Sequence, residues 1–201
     1  VIQHKFKQYC INRAELFANM KDKDGEFVRA KCNVATFMRA VCKQADTEDV
    51  QVRLKGISYV GDGFECFVEA MIGALGYHHH IGVTNYKPVG NNDMGVDGYG
   101  IGLDGKNATV QVKYRPDSTQ LLTASEDNLN SFVVESVLFD RELVNPENDR
   151  NMLIVTTAKG LHPTTATMKF RDRVRCMGIA QINDLTKGNV PFWQKFEQEF
   201  A

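Results

Sequence analysis

The sequence predicts an α/β fold, a mixed central sheet flanked by helices, with elements in the order α-β-β-β-α-β from residue 63 onward. Three observations carry that expectation. Phe64, Phe67, Val68, Met71, Ile72 and Leu75 recur at i, i+3, i+4, i+7, i+8 and i+11, one apolar stripe of a helix that stops at Gly76. Two alternating segments, 96 to 103 and 108 to 114, are joined by Asp104-Gly105-Lys106-Asn107, whose Asp-Gly pair suits the positive φ of a hairpin turn. Met152-Leu153-Ile154-Val155-Thr156 is short, apolar and β-branched, as a strand covered on both faces is.

Taken in order, residues 1 to 60 read as an N-terminal helical module and 61 to 201 as the main domain. In the module, Phe6, Cys10, Ala14 and Phe17, then Val34, Phe37, Met38 and Val41, keep mostly helical spacing on either side of the charged turn Lys21 to Gly25, which predicts a helical hairpin. Residues 50 to 54 alternate like a strand, while Asp46-Thr47-Glu48 equally suits a helix start, so that stretch stays unassigned. In the main domain a first strand is expected at 77 to 84. Pro116 ends the sheet segment, and Thr123-Ala124-Ser125-Glu126 has the form of a capping box before a helix carrying Leu129, Phe132, Val133 and Val137. After the 152 to 156 strand come a helix at 164 to 175, a short strand at 179 to 182 and an aromatic helix from Phe192 to Phe200.

Composition narrows the class. The 201 residues, 43% hydrophobic, suffice for one substantial core. Lys and Arg number 24 against 25 Asp and Glu, a net charge of -1, so contact with a polyanion has to come from local patches. The five cysteines form no C-x-x-C pair, which argues against a disulfide framework or a thiolate zinc site and for reduced thiols. No apolar run approaches the ~18 residues of a membrane span, and no signal pattern opens the chain, so no membrane partner and a cytoplasmic location are expected.

The chemistry concentrates on one strand. In Val110-Gln111-Val112-Lys113-Tyr114, the period of two sends Gln111 and Lys113 to one face and the valines to the other. Asp97, at the start of the preceding strand, can reach the same surface. A carboxylate, a neutral oxygen ligand and an ammonium in one pocket are what phosphodiester hydrolysis requires. Hard Mg²⁺ prefers oxygen ligands and lowers the pKa of a bound water, while a lysine orients that water and offsets phosphoryl charge. Glu65 and Glu69 sit at i and i+4 on the first helix, and Glu65 is the expected inward carboxylate.

These pieces resemble the Mrr-type branch of the restriction-endonuclease-like, or PD-(D/E)XK, nuclease superfamily. The resemblance rests on Phe64-Glu65 opening a helix that ends in Leu75-Gly76-Tyr77, on Asp93-x-Gly95-x-Asp97, and on Val110-Gln111-Val112-Lys113-Tyr114. It extends to Leu153 through Thr157 with the following Thr- and Ala-containing helix, and to Ile182-Asn183-Asp184-Leu185 as a closing strand, so it spans roughly residues 61 to 186. It implies a restriction-endonuclease-like core and a Mg²⁺-dependent endonuclease acting on DNA, with Mn²⁺ able to substitute. In that frame Asp97 is the principal metal ligand, Gln111 takes the place of the second acidic residue, Lys113 is the catalytic lysine and Glu65 is the supporting helix acid. The main-chain carbonyl of Val112 would also face the metal. Glutamine at position 111 departs from the superfamily's commonest pattern but is usual in the Mrr-type branch.

Other readings remain beside it. Gln111 and Lys113 alone would fit any half-exposed strand, and Asp97 alone a turn among glycines. Asp93 reads as a loop former. His78-His79-His80, on a strand, would face alternate sides and share no ion easily. Lys169, Arg171, Arg173 and Arg175 form either a solvated face or phosphate contacts, and Arg115 and Lys159, at strand ends near the site, are further candidates for the phosphate backbone. Phe192, Trp193, Phe196 and Phe200 read as packing. The alternative functions are a non-catalytic DNA-binding or scaffolding domain of nuclease fold, and a junction-resolving, homing or RNA-directed nuclease; a homodimer is an open option.

Overall fold

The computed structural model describes residues 60–89, 95–125, 127–145, 151–163 and 173–200. The expected N-terminal hairpin, Asp93, Lys169 and Arg171 lie outside them. The elements run α1 (Val60–Leu75), β1 (Val83–Pro88), β2 (Gly98–Gly102), β3 (Asn107–Lys113), β4 (Leu121–Leu122), α2 (Leu129–Phe139), a single 3₁₀ turn (Arg141–Val144), β5 (Met152–Thr156), β6 (Gly160–Leu161), β7 (Val174–Met177), α3 (Ile179–Thr186) and α4 (Val190–Phe200). The fold is α/β: a mixed five-stranded sheet in the order β1-β2-β3-β5-β7, flanked by helices, with β4 and β6 forming a small separate pair.

The strands pair as their sequences require. β1, β2 and β3 form an antiparallel meander, and the turn between the last two has Gly105 at φ +80, where a side chain would be strained. β3, β5 and β7 are parallel, and β5 is buried along its whole length, which explains its unbroken apolar run. The two faces carry separate cores. On one, α1, α3 and α4 cover Ala108, Val110, Val112, Leu153, Val155 and Met177. On the other, α2 covers Met152, Ile154 and Val174 through Leu129, Phe132 and Val133.

The first core is organised by aromatic rings. Phe67 is fully buried, with the rings of Phe64, Phe192, Trp193 and Phe196 centred 5.8 to 6.3 Å from its own. The Trp193 indole N–H donates to the Thr186 carbonyl at 2.5 Å, so its one polar atom is satisfied inside the core. The expected packing role of the closing helix holds for Phe192, Trp193 and Phe196.

Four expectations are corrected. Residues 77 to 81 are a turn and not a strand: Gly76 O accepts from Val83 N at 3.1 Å, and His78 O accepts from both Ile81 N and Gly82 N, so the chain reverses before β1 begins at Val83. The helix after Pro116 begins only at Leu129; the turn before it is tied by Asp127, whose carboxylate accepts from Thr123 N at 2.6 Å. A helix does not reach residue 175, because 174 to 177 join the sheet beside β5. Residues 179 to 182 are helical: Gly178 N donates to the Gln181 side chain at 3.0 Å, opening α3, and Ile182, Leu185 and Thr186 bury one side of it. The segment Ile182 to Leu185, matched above to a closing strand, therefore belongs to a helix, and the sheet closes on Val174 to Met177 instead.

Candidate active site

The parallel strands β3, β5 and β7 end together, and the carboxyl ends of parallel strands are where open α/β sheets most often hold ligands. At this end stand Lys113, the last residue of β3, and Thr156, its partner on β5. The antiparallel ladder pairs Gly98 with Val110, which brings Asp97, one step outside β2, beside Gln111. The Phe64 ring lies 6.2 Å from that of Tyr114, so the start of α1, with Glu65, is at the same end.

Asp97 is held from three directions. Its backbone N donates to Val110 O at 2.9 Å, its carbonyl accepts from Val89 N at 3.0 Å, and the Tyr86 hydroxyl donates to the same carbonyl at 3.2 Å. The Tyr86 ring fits because position 98 is glycine: a Cβ there would stand 2.3 Å from a ring carbon. The carboxylate turns onto β3, where Oδ2 accepts from Val112 N at 2.5 Å. The expected meeting of Asp97 with the 111 to 113 strand is thus present.

Gln111 is the most unusual residue of the site. It is wholly buried, and neither polar atom of its amide has a hydrogen-bond partner among the described residues. A buried amide left in this way costs on the order of 1–3 kcal/mol. Its neighbour on the same face, Thr109, shows the usual remedy: its hydroxyl meets Ser136 Oγ at 2.8 Å, and that serine donates to Phe132 O at 2.7 Å. Lys113, next along this face, is half-buried, and its ammonium makes no hydrogen bond or ion pair among the described residues.

The two helix acids divide differently from expectation. Glu69 is buried, 1% exposed, whereas Glu65 is only partly covered. α1 also covers the valine face of β3, so both acids approach the candidate site from the side opposite Gln111 and Lys113. Among the described residues, no three His, Cys, Asp or Glu side chains come together as a metal-holding group. What the strand end does bring together is the Asp97 carboxylate and the β3 backbone at Val112, on the strand that carries Gln111 and Lys113.

The expected phosphate-contacting residues separate. Arg115 is at the site end, but its guanidinium pairs with Asp127, which is 5% exposed, and also donates to Tyr114 O at 2.8 Å. Lys159 is exposed just beyond β5 at the same end. Arg173 and Arg175 are at the amino end of β7, away from Lys113, and Arg175 is spent on carbonyls, donating to Ile81 O at 2.8 Å and His79 O at 3.4 Å. The three histidines stand at that far end too. Their rings gather 4.0 to 5.2 Å apart because they occupy a turn and not a strand. Burial, followed by repulsion from His79 and His80, lowers the His78 pKa below its ordinary value.

Compared with known proteins, the chain matches no family model, no curated protein and no solved structure. Tyr86, Asp127, Thr156 and Thr157, which support the site, were not singled out by sequence reasoning. The signal for the threonines is the polar pair that closes an otherwise apolar buried strand. For Tyr86 and Asp127 no local pattern gives one, since their partners Asp97 and Arg115 are set by tertiary pairing.

Proposed function

We propose that the domain is a metal-dependent endonuclease of restriction-endonuclease-like type, hydrolysing DNA phosphodiester bonds at Asp97, Gln111 and Lys113. The observation that carries this reading is the buried amide of Gln111, without a hydrogen-bond partner among the described residues, on the strand that the Asp97 carboxylate contacts and one step along the same face from Lys113. An apolar side chain would serve a purely structural strand better at that position. An amide kept there at a cost suits a ligand position.

The donor set fits a hard divalent cation such as Mg²⁺ or Mn²⁺: the Asp97 carboxylate, the Gln111 amide oxygen and the Val112 carbonyl are all oxygens. Such an ion, when bound, supplies charge for the phosphate and a more acidic water. The protein's own part is as follows. Asp97 and Gln111 fix the position of the reacting phosphate relative to the sheet end. Lys113, whose ammonium is uncommitted among the described residues, orients the attacking water and balances charge growing on the phosphoryl oxygens. Glu65, at the same end of the sheet but on the valine side of β3, supports the site only from across the strand end, and Lys159 meets the phosphate backbone.

The test is nicking of supercoiled plasmid, with branched and single-stranded DNA alongside, in Mg²⁺, Mn²⁺ and EDTA. Wild type is expected to cut only with metal, and Asp97→Ala and Lys113→Ala to lose cutting by at least a hundredfold while remaining folded. A second reading, a nuclease-type fold that binds DNA without cutting it, is favoured by the neutral Gln111 where the resemblance would place a second acidic residue, and by the absence, among the described residues, of three metal-ligating side chains in one group. It predicts DNA binding and no metal-stimulated cleavage under any of these conditions.

A further inference from the structure

We propose that Thr156 and Thr157 are positioning residues that set where the Lys113 ammonium stands, with the Arg115–Asp127 pair as the outer fastening of the same device. The inference rests on the reading of Lys113 as part of the site. Its basis is a contrast within a few residues. The Lys113 side chain has no hydrogen-bond or ionic partner among the described residues, so its placement is inherited from its backbone. That backbone is tied by more bonds than a strand end requires.

The Lys113 carbonyl accepts from the Thr156 hydroxyl at 2.7 Å and from Thr157 N at 3.3 Å. The Tyr114 carbonyl accepts from the Arg115 guanidinium at 2.8 Å. The Thr157 hydroxyl bridges both backbone groups of Arg115, accepting from its N–H at 2.6 Å and donating to its carbonyl at 2.8 Å. Three successive carbonyls, from the last residue of the β-ladder onward, are therefore fixed by side chains. The Arg115 guanidinium continues to Asp127, whose second oxygen accepts from Thr123 N at 2.6 Å, joining the segment after β3 to the turn before α2.

The groups that do this are buried, Thr156 and Thr157 completely and Asp127 to 5% exposure. A strand that reads Met152-Leu153-Ile154-Val155 has no packing need for two hydroxyls at its end. Valine has nearly the same shape as threonine and would fill the same space. What valine lacks is the hydroxyl that holds the 113 to 115 backbone and, at Thr156, also accepts from Ala158 N at 3.0 Å. A lysine acting on a water or phosphate loses effect when displaced by a fraction of an ångström.

The experiment compares wild type with Thr156→Val, Thr156→Ser, Thr157→Val and Thr157→Ser, each first checked for folding by thermal melting. Two readouts are taken: steady-state plasmid nicking in Mg²⁺, and the NMR resonance of Lys113 after reductive ¹³C-methylation of the lysines, assigned by its loss in Lys113→Arg. The valine variants are expected to lower kcat by roughly ten- to a hundredfold with KM for DNA unchanged. They are also expected to shift the Lys113 resonance while those of Lys87 and Lys195 stay in place. The serine variants, which keep the hydroxyl, restore both. A Lys113 resonance unmoved in folded valine variants overturns the inference, as does an equal loss in valine and serine variants. If wild type cuts no DNA, the nuclease reading fails, and the resonance alone still decides whether the threonines place the lysine. Should either valine variant not fold, the other variant of the pair and the two serine variants supply the comparison.

Discussion

The two faces of the central sheet are built to different rules, and strand β3 shows the difference within seven residues. Toward α1, α3 and α4 it presents Ala108, Val110 and Val112, in a core of interlocking aromatic rings with its one indole N–H satisfied. Toward α2 it presents Thr109, Gln111 and Lys113: a hydroxyl paired with Ser136, an amide with no partner among the described residues, and a half-buried ammonium. The first face accounts for stability through burial. The second carries polar groups that weaken a core, and the proposed function gives those at the strand ends a chemical use.

The largest effect belongs to the first face. Phe67→Ala removes the ring at the centre of the aromatic cluster and is expected to reduce stability by about 3–5 kcal/mol in urea unfolding. A loss under ~1 kcal/mol would mean that this face does not hold the domain together. On the second face, Ser136→Ala leaves the buried Thr109 hydroxyl without its acceptor and is expected to reduce stability by about 1–3 kcal/mol. Adding Thr109→Val should recover much of that loss. A double variant as unstable as the sum of the singles would show that the two hydroxyls do not act together.

The smallest effect lies at the far end of the sheet. Because the His78 pKa is lowered in the folded protein, the unfolded chain takes up the proton more readily. Folding stability is therefore lost as pH falls through the ordinary histidine range near 6.5. His79 and His80 crowd the same turn, and the Arg175 guanidinium lies against its carbonyls. Melting temperatures between pH 8 and 5 should fall less for His78→Asn than for wild type. An identical fall in both would remove His78 from the acid sensitivity.

The contrast between faces was readable in the sequence where a short pattern decides it. Alternation through Val110 to Lys113 assigned each residue to its side, and the Asp104-Gly105 pair marked the hairpin that sets Asp97 beside Gln111. What the pattern missed depended on distant partners. His78 to His80 alternate as a strand does, yet carbonyls at Gly76 and His78 bind the chain into a turn. Ile179 and Ile182 resemble a short strand, but the Gln181 side chain on Gly178 N opens a helix. The i, i+4 spacing of Glu65 and Glu69 showed that they share a side but not which is covered; packing on the sheet buried Glu69. Arg115 looked available for phosphate because nothing in its surroundings in sequence announces Asp127, twelve residues on.

The most direct test of the account is a single substitution, Gln111→Leu, followed by paired measurements of unfolding free energy and Mg²⁺-dependent plasmid nicking. The expected result is a protein more stable than wild type by about 1 kcal/mol, since a buried amide with no partner among the described residues is removed, together with a loss of nicking. A variant that is less stable, or that nicks as fast as wild type, would contradict the claim that Gln111 is kept for chemistry at the expense of the core.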